Sequence, residues 1–392
     1  MIYPRFIFSQ LEKELDTKES IVITGMRRVG KTIALEYLFS LIKTPNKVML
    51  DLENPLNRKI FEADDFDAIW NNLLDFGITN KEKAFILLDE IQNLPIISKV
   101  VKYLSDHFDV KFILTGSSSY YLKNLFSESM AGRKIVFEMF PLTFAEFLIF
   151  KGLPRKETAR FSEKAALKNR IRYERIAPYF KEFIEFGGFP KVVLEVNPER
   201  KKVLLSEIFT SYFEQDVKTL ADFKDTGKLR DLILLLIPRV GSRIEIAKLA
   251  NSLGVSRQTV YNHLSFLERT YFITFLSKFS KNIDRRAAGS KKLYLCDGGM
   301  VNVLGKVSEG QLFEQSIFQN LRQQHTLNFF YKDGSEVDFI IDESIACEVK
   351  TSVSKRDIAH LKAKAKSLNL AEFYIISKEY SAEKKAILAI DI

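Results

Sequence analysis

The 392-residue sequence is sparing with several features, and each shortage excludes a class of protein. Only two cysteines occur, Cys296 and Cys347, in separate apolar segments and without metal-ligand spacing. They read as small core residues rather than as a disulfide or a zinc site. No apolar run approaches the roughly 20 residues that a membrane helix requires. The longest candidates, around Leu232–Ile237 and Phe85–Leu88, suit buried helix or strand, so no membrane partner is expected. The opening Met1-Ile2-Tyr3-Pro4-Arg5 lacks the charged-then-apolar build of a signal peptide, and the expected address is a reducing cytoplasm.

What is present is a soluble globular composition, 46% apolar and 28% charged. The length exceeds one ordinary core, so two or three domains are expected. The net charge of +9 points toward an anionic partner. Part of the excess lies in one stretch: Lys151, Arg155, Lys156, Arg160, Lys164, Lys168, Arg170, Arg172 and Arg175. It reads equally as a solvated helical face or as a nucleic-acid-facing surface.

Residues 25–32 read Gly25-Met26-Arg27-Arg28-Val29-Gly30-Lys31-Thr32, a complete GxxxxGKS/T phosphate loop. It sits between an apolar strand, Ile21-Val22-Ile23, and a helix opening at Lys31 and running through Leu35, Leu38 and Leu41. Glycines let backbone N–H groups close around a triphosphate, and the helix N-terminus adds positive charge. Lys31 would reach the β- and γ-phosphates, and the Thr32 hydroxyl would take one position on Mg²⁺. ATP and Mg²⁺ are therefore the expected cofactors. Downstream, Ala84-Phe85-Ile86-Leu87-Leu88-Asp89-Glu90 reads as a buried parallel strand whose end opens on the nucleotide crevice. Asp89 would hold the Mg²⁺ shell, and Glu90 would orient or deprotonate the attacking water. A further strand, Lys111–Thr115, ends in Gly116-Ser117-Ser118-Ser119. There Thr115 and Ser117 are candidates for sensing the γ-phosphate, with an N-cap for a helix at Tyr120–Leu122 as the alternative.

These blocks carry a resemblance. The loop with paired Arg27-Arg28, the Leu-Leu-Asp-Glu-Ile-Gln run, Leu-Thr-Gly-Ser-Ser, Ala131-Gly132-Arg133, and Phe140-Pro141-Leu142-Thr143-Phe144-Ala145-Glu146-Phe147 resemble a prokaryotic branch of the AAA+ P-loop ATPases. That branch joins the ATPase to a winged helix and a restriction-endonuclease-like domain. The resemblance implies an α/β chain in three parts: a doubly wound parallel P-loop sheet over 1–150, a helical and winged-helix domain over 151–285, and a nuclease-like α/β domain over 286–392. It also makes Arg133 a candidate arginine finger, against a plain surface turn.

Within 244–268, Ile246, Ala247 and Ala250 mark a short helix, Leu253-Gly254-Val255 a tight turn, and Ser256 the N-cap of a second helix with the stripe Val260, Leu264, Leu267. Arg257, Gln258, Thr259, Tyr261, Asn262 and His263 include its exposed face. A strand at Tyr271–Phe275 completes a winged-helix outline. DNA is the expected partner, with packing on the ATPase as a lid the alternative.

In the last third, Val337-Asp338-Phe339-Ile340 and Cys347-Glu348-Val349-Lys350 place an Asp ten residues before Glu-x-Lys on the next strand. This resembles the PD-(D/E)XK nucleases, although Glu336-Val337 stands where a Pro would precede the Asp. Asp338 and Glu348 would hold metal, and Lys350, on the same strand face as Glu348, would stabilise the transition state or position the nucleophile. The resemblance adds Glu314 to the metal set, with Glu336 as a spare. The alternatives are a Glu348–Lys350 salt bridge and a nuclease fold kept as a binding module.

The sequence thus supports an ATP-hydrolysing protein acting on nucleic acid, with a metal-dependent nuclease-like domain. The alternative is a nucleotide-dependent switch or scaffold whose inactive nuclease fold binds protein partners or further copies of the chain; a small-molecule kinase leaves the later domains without a role. Gly187-Gly188-Phe189-Pro190 reads only as a tight turn. Tyr212–Val217 reads as an amphipathic helix or as polar groups facing the nucleotide.

Overall fold

The computed structural model describes residues 2–63, 65–117, 132–153, 160–217, 226–280, 282, 286 and 289–392. The expected Tyr120–Leu122 helix, together with Ser118, Ser119, Ala131, Arg155 and Lys156, lies outside them. The chain forms two compact units, one of 1–140, 211–221 and 269–271, the other of 141–210, 222–268 and 272–392.

In the first unit, strands β1 (Ser20–Thr24), β2 (Lys47–Asp51), β3 (Ala84–Asp89), β4 (Val110–Gly116) and β5 (Lys134–Glu138) make an all-parallel sheet in the order β2-β3-β4-β1-β5. Unbroken apolar runs such as Phe85–Leu88 suit strands covered on both faces. Ile86, Leu88, Phe112 and Leu114 join a core with Ile69, Leu73, Val100 and Leu104 from helices Phe66–Leu74 and Ile97–His107. Helix Lys31–Leu41 packs its buried Leu35 and Leu38 toward β3 and β4. Because all five strands run the same way, the loop after β1 and the ends of β3 and β4 meet along one edge of the sheet.

The second unit holds a mixed sheet of seven strands: β6 (Ile273–Lys278), β7 (Lys291–Leu295), β8 (Leu327–Lys332), β9 (Ser335–Ile341), β10 (Ile345–Lys350), β11 (Glu372–Ser377) and β12 (Ala386–Leu388), in the order β12-β11-β10-β9-β8-β6-β7. Helix Glu309–Leu321 lies between β7 and β8 in sequence, and helix Lys355–Ser367 between β10 and β11. The boundaries expected at 150 and 285 are redrawn. Pro141–Phe150 belongs with the second unit because Phe144 packs on Phe180 and Phe183 and Phe147 on Phe183, with centroids 4.9–5.6 Å apart, behind a Thr143–Glu146 capping box. The strand expected to finish a separate winged helix is β6, which pairs with β7 and, in parallel, with β8, so it is part of the seven-stranded sheet.

Two helices, Ile246–Leu253 and Arg257–Arg269, join through Gly254 at φ +65°. Ser256 Oγ accepts the Thr259 N–H at 3.0 Å, and Val260, Leu264 and Leu267 face inward, as expected. His263 differs: it is buried, so it lies off the exposed polar face.

Gly187-Gly188 acquires a physical reason. Gly187 ends helix Arg170–Phe186 at φ +73°, and a Cβ there would stand 1.7 Å from Asp297 Oδ1. Asp297 is fully buried and accepts from Gly188 N (2.7 Å), Gly299 N (2.9 Å) and Gln319 Nε2 (2.9 Å). Burial pushes its carboxyl above the ordinary value, against these bonds. Gly187→Ala is expected to lower unfolding stability by more than ~2 kcal/mol, because it displaces a buried carboxylate from its donors. Gly254→Ala, where a Cβ meets open space, should cost only about 1 kcal/mol of left-handed strain. Equal midpoints for the two variants in denaturant melts would contradict this account.

Candidate functional site

The phosphate loop turns tightly at the end of β1. Gly25 (φ +147°) is essential to it, since a Cβ would stand 2.1 Å from the Met139 carbonyl oxygen; Gly30 (φ +103°) and Arg28 (φ +64°) are also left-handed. Met26 and Val29 are buried, and Arg28 is exposed. Lys31 is the first residue of its helix, 4% exposed, and its ammonium donates to the Gly25 and Met26 carbonyls, each at 3.1 Å. Burial lowers its pKa, opposed by the charges of Glu90 and Asp216.

Asp89, at the end of β3, gathers two hydroxyls. Thr32 Oγ1 donates to its Oδ2 at 2.7 Å, and Thr115 Oγ1, from β4, donates to its Oδ1. Thr115 Oγ1 in turn accepts the Glu90 N–H at 3.1 Å. Glu90 sits in the left-handed region (φ +55°), and its carboxylate accepts from Gln92 Nε2. The loop, Thr32, Asp89, Glu90 and Thr115 are thus brought together. Hard oxygen donors from Thr32 and Asp89 in contact suit a magnesium ion, and a loop that only glycine can close suits a polyphosphate.

Sequence reading missed Arg5, whose guanidinium donates to the Val29 and Phe140 carbonyls at 3.0 and 2.9 Å, and it missed Gln92. No motif marks Arg5, which only long-range packing brings to the loop; Gln92 closes the Leu-Leu-Asp-Glu-Ile-Gln run but was given no role there. Arg133 stands apart from the loop residues just described, paired at the surface with Asp106 at 3.2 Å. Of the basic stretch, Lys151 pairs with Glu182 (2.8 Å), Arg170 with Glu174 (2.9 Å) and Arg172 with Asp391, while Lys168 donates to the Ala386 carbonyl at 2.5 Å. These four cations serve the second unit internally.

The second unit assembles the other predicted carboxylates around lysines. Lys292, on β7 and 1% exposed, lies 2.7 Å from Glu314, 2.8 Å from Glu336 and 3.8 Å from Asp338. Burial pulls its ammonium down, yet Glu314, Asp338 and Glu336 together lift it above the ordinary lysine value. Tyr294 donates to Glu314 at 2.6 Å. Asp338 Oδ2 accepts the Val349 N–H at 2.8 Å, just past the last paired residues of the β9–β10 ladder. Burial, with Glu314 adding to it, pushes Asp338 up to about 7. Glu348 is bonded to Lys364 at 2.7 Å and lies 3.5 Å from Lys350.

The residues expected to hold a metal here do not fit one. An ammonium of the chain itself occupies the space between Glu314 and Asp338, and Glu348 is turned to a different lysine. Among the described residues no three Asp, Glu, His or Cys side chains converge on a common cation position. Lys292 and Lys364 carried no motif signal.

Residues 17–148 match the AAA domain family. Residues 177–311 and 309–391 match two domains of unknown function, DUF8612 and DUF4143. The uncharacterized protein MJ1544 of Methanocaldococcus jannaschii is 31% identical over 354 residues, 86% of this chain and 75% of that relative. An uncharacterized protein of Haemophilus influenzae is 28% identical over 400 residues, 95% of this chain and 94% of that relative. Among solved structures, the Aeropyrum pernix ORC1 protein in complex with DNA aligns at a TM-score of 0.32 and 15% identity, over 76% of this chain and 90% of that one. The chain belongs to the family of the Methanocaldococcus jannaschii protein MJ1544, and its residues 17–148 form an AAA domain of the P-loop ATPase class.

Proposed function

We propose that the chain is an ATP-hydrolysing switch whose C-terminal carboxylate cluster is held by lysines rather than by metal. The observation that carries the ATPase half is the Thr32–Asp89–Thr115 junction beside Lys31 and Glu90. Thr32 and Asp89 would hold a magnesium ion, which would supply charge neutralisation of the phosphates. Lys31 leaves the loop carbonyls to pair with phosphate oxygens. Glu90 orients the attacking water and receives its proton, with Gln92 fixing the carboxylate. Lys31→Ala is expected to abolish ATP binding in a fluorescent-nucleotide titration. Glu90→Gln should still bind ATP while hydrolysis falls by 10²-fold or more, the usual size of general-base loss. Wild-type turnover in Glu90→Gln would remove Glu90 from this role.

The second half rests on Lys292, seated where a divalent ion would otherwise bridge Glu314 and Asp338. With nucleotide absent, the unmodified chain should take up no Mn²⁺ at saturable sites by EPR titration, whereas Lys292→Ala should gain uptake. Saturable Mn²⁺ uptake or Mn²⁺-dependent DNA cleavage by the unmodified chain, lost in Glu348→Ala, would restore the nuclease reading.

DNA contact is a second reading, favoured by the exposed row Arg257, Gln258, Tyr261 and Asn262 on helix Arg257–Arg269. Arg257→Ala should weaken salt-sensitive duplex binding by about tenfold while ATP hydrolysis without DNA persists. Absence of duplex binding at low salt would leave the switch to act on protein partners.

A further inference from the structure

Tyr212–Val217 forms a π-helical turn within the same compact unit as the phosphate loop. Such turns are rare and concentrate at functional sites. Tyr212 anchors this one through a buried hydrogen bond to Thr270 at 2.7 Å. Its product is Asp216, 2% exposed, a placement costly for a carboxylate unless it is fully paired. The pairing is complete on both oxygens. Oδ2 accepts from Arg27 Nε at 3.0 Å, and Oδ1 accepts from Ser117 Oγ at 3.1 Å. Ser117 N donates onward to Gln92 Oε1 at 3.4 Å, and Gln92 is the partner of Glu90.

The geometry at Arg27 is specific. Arg27 is the third residue of the phosphate loop, and Asp216 takes its Nε, the one guanidinium nitrogen that does not belong to the terminal fork. Among the described residues the terminal fork meets only Glu53, 3.7 Å from Nη1, which leaves Nη1 and Nη2 facing an incoming oxyanion. A guanidinium fixed in plane at one edge presents its fork with little left to order. Arg27 and Asp216 both act on the charge of Lys31, so the guanidinium, the carboxylate and the ammonium share one small region.

We infer that Asp216 is a positioning residue of the ATP site: it aims Arg27, through Nε, so that the terminal nitrogens stabilise charge on the transferring phosphoryl group. The cationic partner usually sought in a finger arginine then comes from the loop itself. This role rests on the ATP-hydrolysis reading above. Asp216 touches no phosphate and acts only through Arg27.

The test measures kcat and ATP affinity separately in the full chain. Arg27→Ala should lower kcat by about 10²-fold or more, with ATP affinity changed by less than about tenfold. Arg27→Lys should not restore it, because an ammonium cannot bond Asp216 and phosphate in one plane. Asp216→Ala should lower kcat by at least about tenfold, and Asp216→Asn by less, since the amide oxygen still accepts from Nε. The Arg27→Ala/Asp216→Ala double variant should be no slower than Arg27→Ala alone, a non-additivity that a merely destabilised fold would not produce. Should Asp216→Ala fail to fold, Asp216→Asn in the same cycle carries the comparison. Wild-type kcat in Asp216→Asn and Asp216→Ala, or additive losses in the double variant, would overturn the role of Asp216. If Lys31→Ala also bound and hydrolysed ATP normally, the ATP reading itself would fall; if Lys31→Ala is inactive, only the inference about Asp216 falls.

Discussion

Two threonine hydroxyls converge on Asp89, and the first unit's chemistry depends on that convergence. Asp89 ends a strand with no exposed residue, Thr115 sits on the adjacent strand, and Thr32 opens the helix that follows the loop. A carboxylate so placed ties three chain segments together just past the last pair of the β3–β4 ladder. Parallel strands make this necessary. Their shared C-terminal edge collects loops that cannot bond one another through the sheet, so side chains must close it. Glu90, left-handed immediately after Asp89, is turned by the same event, because its own N–H is held by Thr115.

The second unit solves a related electrostatic problem differently. Four carboxylates, Glu314, Glu336, Asp338 and Glu348, approach one another near Lys292, Lys350 and Lys364. Carboxylates at such spacing repel unless a cation or a proton intervenes. Here the cation is covalently part of the chain, and Asp338 titrates close to neutrality. Removing one member of such a set is costlier than never having had it.

Much of the chain was legible because it is locally encoded. The apolar run ending in Asp89 downstream of the loop read as a buried parallel strand, and the GKT of the loop announced a helix N-terminus. The runs around Asp338 and Glu348, placed on adjoining strands from sequence, lie on β9 and β10. What escaped was set by distance. Lys292 is one lysine in a strand rich in them, and only the folding of β7 and helix Glu309–Leu321 brings Glu314 to it. His263 sits among polar residues, yet its helical phase turns it inward. The joining of β6 to β8 is parallel and non-local, so no turn signal records it.

The first unit is discontinuous along the chain, and that bears on how the protein is born. The phosphate loop leaves the ribosome early, but the carboxylate that pairs with Arg27 lies 189 residues later, and Thr270, which anchors the turn bearing it, later still. A nascent chain carrying only the five parallel strands has a finished sheet and an unfinished cation. Nucleotide met at that stage encounters a loop whose arginine has not yet been given its direction. The order of synthesis thus separates the moment the cradle exists from the moment it is tuned.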